Sequence, residues 1–485
     1  MTRLLSALAG ASLLLAMPFA GGAAVAQGVS PYQGLEPEQL LDLSLEIPGR
    51  FERSAMRKHL ADAFPDTPEG LFARTWIKDR NYADRQEVIA DYLKVIDQRP
   101  DLSTAYLYLG LTYEEVDDFG RTREVYEKGL KAAGFDIDLI RNLYFLLKGE
   151  LKQPAEAEAF LQGIERDFGK RDGAVTFIRA IAAQSDGEAE KAEELFEAAL
   201  KEGAPFEALK RLTELRMTRL ERSGAKAETR AAALKPVLDY AVAERSAEAL
   251  LFAAGELKDR FNARQQAMEF YEQAYAMSNV AEAALDGFEM MASYDFDRSY
   301  TLLQKAYQDL PQVSQVATSM CWANFAFALK PEQALAYCRE GEAKAVLVEY
   351  RHKAVRQTAD LLETAGRMDE AESALKAALD DTPSSRKYSI LAELVKNRIW
   401  AQDYAKARAY LDEVSGAKGL SGTWLALWQQ RLGIAEALEN ERQAFLKARS
   451  VPEGLGNPYR SQPDAGCGVR DELGRDPGGH LSGTR

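Results

Sequence analysis

The side chains of this 485-residue chain best suited to chemistry are its 3 histidines, its 3 cysteines and its neighbouring carboxylates. A metal site needs several such groups at short, regular spacing, and a nucleophile needs a base within reach. His59, His352 and His480 each stand alone, with no second histidine at ligand spacing. His59 and His352 read as exposed helix residues. Glu114 with Glu115 is the kind of carboxylate pair that acid–base work uses, yet it belongs to a scatter of acidic residues of the sort solvated helix faces carry. No glycine-rich phosphate loop, nucleophile elbow or zinc signature appears. The chain is therefore expected to have no catalytic residue, no cofactor and no metal, and not to be an enzyme.

The elements that must hold these residues repeat. Val88, Thr122, Ala157, Ala192, Ala267, Ser299, Ala334, Ala371 and Ala407 form a column of mostly small residues, with successive steps of 34, 35, 35, 75, 32, 35, 37 and 36 positions. A period of this length with apolar residues at helical spacing predicts an all-α solenoid of helix pairs. Each amphipathic stripe alone could not bury its face, so the copies are expected to stand or fall together.

Within Ser103 to Asp136, Tyr106, Leu109, Gly110 and Tyr113 fall on one helix, and Thr122, Tyr126, Gly129 and Leu130 on the next. The segment before it carries Phe72, Trp76, Tyr92, Ile96 and Pro100, where the proline ends the second helix. These residues resemble the tetratricopeptide pattern, and the resemblance covers about Glu69 to Gly416 in degenerate copies. It implies a right-handed superhelical solenoid of stacked antiparallel helix pairs, about nine or ten of them. Two places depart from it. The 75-residue step between Ala192 and Ala267 is expected to hold one irregular pair, with its turn at Glu221 to Thr229 and Pro236 interrupting its second helix. The copy around Cys321 and Trp322 is bulky where the pattern prefers small residues.

In tetratricopeptide proteins the first helix of each pair lines a concave groove. That register places Leu107, Leu111, Leu146, Phe177, Ile181, Phe252 and Phe288 toward it, joined by Arg80, Asn81, Glu114, Asn142, Glu256 and Arg356. A register shifted by one position would make the same residues ordinary core. The family's carboxylate clamp of Lys, Asn and Arg is not evident. Cys321 and Cys338 fall on the first and second helix of one repeat, positions that face each other in the resembled fold, so an oxidising compartment would permit a disulfide there. The other reading is that both are small buried apolar residues. Cys467 has no obvious partner.

The ends differ from the array. Arg3, the apolar stretch Leu4 to Ala20 and the triplet Ala24, Val25, Ala26 before Gln27 have the layout of a cleavable secretory signal, with no lipoprotein cysteine after it. No later segment is apolar enough for a membrane span. Residues 27–66 read as a helical lead or cap containing two short helices parted at Pro48 and Gly49. The solenoid is expected over 67–449, and 450–485 as a disordered tail, since 8 of the 35 residues from Val451 are glycine and 4 are proline. Loss of Arg3 with the signal takes the 61 basic residues to 60 against 75 acidic, a charge of −15, which argues against nucleic acid.

The N-terminal layout, the missing catalytic motifs and the resemblance together imply an exported, periplasmic, non-catalytic scaffold of the bacterial cell envelope. It would hold a protein or peptide partner in its groove, within a polysaccharide-export or outer-membrane assembly complex. The alternative is a carbohydrate- or polymer-guiding module in which Trp76, Trp400, Trp424 and Trp428 stack on sugars.

Overall fold

A computed structural model describes residues 32, 34–47, 49–328, 330–383, 386–415 and 422–448. The expected signal, residues 1–26, and the expected tail, 450–485, lie outside the described residues, as do Cys467 and His480. Among the described residues there is no strand. The chain divides into two compact units, the first within Met1–Leu329 and Glu340–Arg351, the second within Lys330–Arg339 and His352–Arg485.

The first unit opens with α1 (Pro37–Glu46) and α2 (Arg50–Ala63). Helix pairs follow: α3 (Pro68–Arg80) with α4 (Arg85–Gln98), α5 (Ser103–Glu114) with α6 (Phe119–Ala133), and α7 (Ile137–Phe145) with α8 (Pro154–Phe168). Next come α9 (Ala174–Ser185) with α10 (Ala189–Lys201), then α11 (Phe206–Arg222) with the short α12 (Ala227–Ala232) and α13 (Lys235–Ala243). The unit continues with α14 (Ala247–Phe261) and α15 (Arg264–Ser278), α16 (Ala281–Met291) and α17 (Phe296–Asp309), and α18 (Ser314–Ala326). The division between units falls inside α19 (Pro331–Lys344) and α20 (Val348–Thr364). The second unit ends with α21 (Met368–Asp380), α22 (Lys387–Trp400), α23 (Tyr404–Ser415) and α24 (Gly422–Ala448).

The column of small residues marks where the two helices of each pair cross. All of its members, from Val88 to Ala407, are fully buried, and several are alanines that leave room for the facing helix to come close. A close crossing joins α5 and α6. A Cβ on Gly110 would lie 2.1 Å from the Tyr126 ring, and one on Gly129 would lie 2.8 Å from the Cβ of Tyr106. Glycine at both places lets the tyrosines fill the space that side chains would otherwise dispute.

Turns recur with the same period. Tyr82, Asp117, Lys152, Gly187, Asn262, Gly366 and Gln402 all have positive φ, and each lies five or six positions ahead of a column residue. One left-handed residue reverses the chain between first and second helix, and the next helix is often capped by an aspartate. Asp84, Asp118 and Asp295 accept from backbone N–H groups of the first turn.

The irregular pair differs in detail from the sequence expectation. Helix α11 continues to Arg222, so the turn is shorter than Glu221–Thr229, and Gly224 supplies its positive φ. Pro236 does not interrupt a helix. It occupies the first turn of α13, where its missing N–H costs no intrahelical bond.

Helices α1 and α2 do more than cover the first pair. Helix α2 packs on α3 and also reaches residues more than 220 positions away. The Glu52 carboxylate accepts from the backbone N–H of Ala281, and the N–H of Arg50 donates to Glu282 Oε1 at 2.8 Å. The Phe51 and Tyr350 rings meet edge-on at 5.6 Å, and Gln312 donates to the Tyr32 hydroxyl at 3.4 Å. The first unit thus closes on itself through its own N-terminal helices.

Candidate functional site

Most of the residues expected to line a groove lie on first helices of pairs in the first unit. Leu107, Leu111, Ile181 and Phe252 are half-buried, which leaves apolar surface available along α5, α9 and α14. Leu146, Phe177 and Phe288 are not groove residues, contrary to the expected register. Phe177 packs on Phe196 at 6.0 Å, Phe288 is enclosed by Phe296, Trp322 and Phe327, and Leu146 belongs to the main core. A first helix touches its own second helix and the neighbouring pair, so its exposed stripe is narrower than a full face.

The polar members divide in the same way. Arg80 is exposed. Asn81 is engaged within the chain: its side-chain amide donates to the Val346 carbonyl at 3.1 Å and accepts from the Val348 N–H at 2.7 Å. Glu114 accepts from the Tyr126 hydroxyl at 2.9 Å, and Asn142 donates to the Asp138 carbonyl at 2.8 Å within its own helix. Glu256 pairs with Arg260 at 2.7 Å. Arg356 is an exposed residue of the second unit.

Electrostatics adds residues that the periodic pattern did not single out. Burial pushes the carboxyls of Glu214, Glu248 and Glu256 upward, although Lys210 offsets part of this for the first two and Arg260 part of it for the third. Lys210 also lies 5.9 Å from the centre of the Phe252 ring. Helices α11 and α14 therefore bring a lysine, an aromatic and three desolvated carboxylates into one neighbourhood. Glu214 and Lys210 sit on the irregular pair, where the repeat register gave no place for them.

A second acidic group lies where α2 meets α16. Burial and the facing Glu282 raise Glu52 to about 7, and burial raises Glu282 and Asp286 as well. The Glu52 Oε2 atom is buried with no hydrogen-bond partner. Two carboxylates held together out of water share a proton more readily than they share two charges.

A cleft of about 330 Å³ between α3 and α4 is lined by Arg74, Lys78, Asp91 and Lys94 among others. Its lysines are already paired, since Lys78 and Lys94 each bond Asp91 at 2.8 Å and Lys78 also bonds Glu87. Among the described residues no group of three or more His, Cys, Asp or Glu is placed to hold a metal, and no helix is long and apolar enough to cross a membrane.

His352 is not the exposed helix residue expected. It is buried in the second unit, with Nε2 2.8 Å from the Thr382 hydroxyl and Nδ1 3.1 Å from that of Ser389. His59 is half-buried beside Tyr32 at 5.3 Å. Cys321 and Cys338 are both buried and both disulfide-bonded. Trp76 is core, with the Arg57 guanidinium 4.4 Å from its ring centre. Trp424 and Trp428 are half-buried neighbours 5.8 Å apart, while Trp400 is 53% exposed.

Among the described residues the chain is an all-α array of consecutive antiparallel helix pairs, an architecture that presents extended surface to other molecules. No family model and no curated protein matches it. The crystal structure of yeast Tom70 is similar to this chain with a TM-score of 0.42 and 12% identity, over 86% of this chain and 99% of that one.

Proposed function

We propose that the chain is a non-catalytic scaffold that holds a protein partner along the first helices of its first unit, and that it works outside the cytoplasm. The observation that carries this reading is the set of half-buried apolar side chains, Leu107, Leu111, Ile181 and Phe252, with the desolvated carboxylates Glu214, Glu248 and Glu256 near the last of them. Such a surface favours an extended or amphipathic segment that offers apolar residues and cations together.

Export is supported by the run from Arg3 to Ala26 ahead of Gln27 and by the disulfide-bonded state of Cys321 and Cys338. In that setting the scaffold belongs to the periplasm of a bacterial envelope, as part of a polysaccharide-export or outer-membrane assembly complex. The test is capture from envelope extract by the mature chain beside the variant Leu107→Glu with Leu111→Glu. One partner held in near-stoichiometric amount by the first and lost by the second supports the scaffold. Equal capture by both rejects the assigned surface. A polymer-guiding role is favoured by the exposure of Trp400 alone. Glycan retention that falls on Trp400→Ala, with no protein captured, would replace the scaffold reading.

A further inference from the structure

Helix α24 carries apolar residues on two opposite sides. One side holds Leu432, the fully buried residue of the helix, and Glu436, which pairs with Arg408 of α23. Successive residues of a helix advance by about 100°. Leu427, Ile434, Leu438 and Phe445 therefore fall on the far side from Leu432. There Ile434, Leu438 and Phe445 remain 52%, 62% and 53% exposed. Ile434 and Leu438, one turn apart, are two large apolar side chains side by side on this stripe, and such a pair is more than single scattered exposure. Arg431 and Glu441 border the stripe. Arg431 lies 5.0 Å from the Trp428 ring centre, and among the described residues neither it nor Glu441 has an ion-pair partner.

The order of these residues is symmetric about position 436. Ile434 and Leu438 stand two places either side of it, Arg431 and Glu441 five, and Leu427 and Phe445 nine. Two identical helices related by a twofold axis run antiparallel, and whatever residue i meets on its partner, that residue meets i in return. With the axis at position 436, isoleucine faces leucine, leucine faces phenylalanine and arginine faces glutamate, each pair occurring twice. Parallel pairing in register would instead set arginine beside arginine and glutamate beside glutamate.

We propose that α24 is a homodimerisation helix, whose outer stripe packs antiparallel against the same stripe of a second copy. Leu427 to Phe445 spans about 27 Å, five turns of helix, long enough for an interhelical seam with charges at its flanks. This inference does not depend on the scaffold reading, since it concerns self-association and not the captured partner.

The test is sedimentation equilibrium of the mature chain and four variants. The unaltered chain is expected to sediment as a dimer. Arg431→Glu and Glu441→Arg, each of which sets like charges face to face twice, are expected to weaken the dimer at least about tenfold. The double exchange Arg431→Glu with Glu441→Arg restores opposite charges and is expected to recover most of the loss. Ile434→Glu with Leu438→Glu yields monomer, with an unchanged circular dichroism spectrum reporting intact folding. A chain that stays monomeric to about 100 μM, or a dimer indifferent to single charge reversal, overturns the proposal. So does a double exchange no better than the singles in variants that keep the helical spectrum.

Discussion

Asn81 and Val346 are joined across 265 positions of sequence by a single side-chain amide, which donates to the Val346 carbonyl at 3.1 Å. The same amide accepts from Val348 N–H at 2.7 Å, so one asparagine satisfies both backbone groups at the start of α20. Asn81→Ala leaves the two groups without a protein partner and is expected to cost about 1–3 kcal/mol. Hydrogen exchange at Val346 to Tyr350 should accelerate, while exchange in α9 and α10 stays as it was. Unchanged protection at Val346 to Tyr350 would mean that other contacts hold the closure.

The closure is also expected to depend on pH. Glu52 is raised to about 7 by burial beside Glu282, so the folded chain binds a proton there more tightly than the unfolded chain does. Its stabilising effect is complete below the ordinary carboxylate range near 4.5 and is lost as pH rises through about 7. Glu52→Gln keeps an oxygen for the Ala281 N–H and removes the titration. Thermal unfolding should find the variant and the original alike at pH 4.5. At pH 8 the variant should be the more stable, by an amount on the order of 3 kcal/mol.

Crossing distance can be probed with alanine. Gly110→Ala drives a methyl group into the Tyr126 ring and should destabilise by about 1–3 kcal/mol. Gly255→Ala, in the middle of α14 with nothing within 4 Å of its added carbon, should stabilise by up to about 1 kcal/mol through helix propensity alone. Denaturant midpoints measured on the two variants should therefore move in opposite directions.

Cys321 and Cys338 are expected to be bonded to each other in exported protein. A bond between them closes a loop of about 17 residues, for which chain entropy gives roughly 3 kcal/mol. Non-reduced peptide mapping should recover one cross-linked peptide carrying both residues, and reduction should lower the unfolding temperature. Two free thiols in protein taken from the periplasm would remove the pairing.

The array was legible because helix crossings demand small residues, and that demand recurs in the sequence as a column. The turns ahead of that column were not. Tyr82, Asp117, Lys152, Asn262 and Gln402 share one left-handed conformation and no residue type, because the packing of each pair enforces a geometry that costs an ordinary residue roughly 1 kcal/mol. The closing contacts of Glu52, Asn81 and Phe51 have no period to betray them. Their partners lie hundreds of residues away on elements whose approach depends on the accumulated curvature between. Of the residues expected along a groove, Leu107 and Leu111 kept accessible surface, whereas Phe177 and Phe288 are buried against their own second helices and the helix that follows. Periodicity finds the apolar side of a helix and does not divide that side between solvent and neighbour. His352 escaped for a related reason, since a lone histidine on a helix gives no sign of the two hydroxyls that wait for it.

Solenoids ordinarily gain or lose a copy at little cost, because each copy answers only to those beside it. A chain whose beginning is fastened to Ala281 and Val346 has given up that freedom between the two points. Duplication or deletion of one pair between α4 and α15 would carry the anchor points about a repeat's width out of reach of Glu52 and Asn81. Length variation among descendants of this sequence should therefore concentrate outside that interval, and circularly permuted versions should tolerate new ends within it better than added copies.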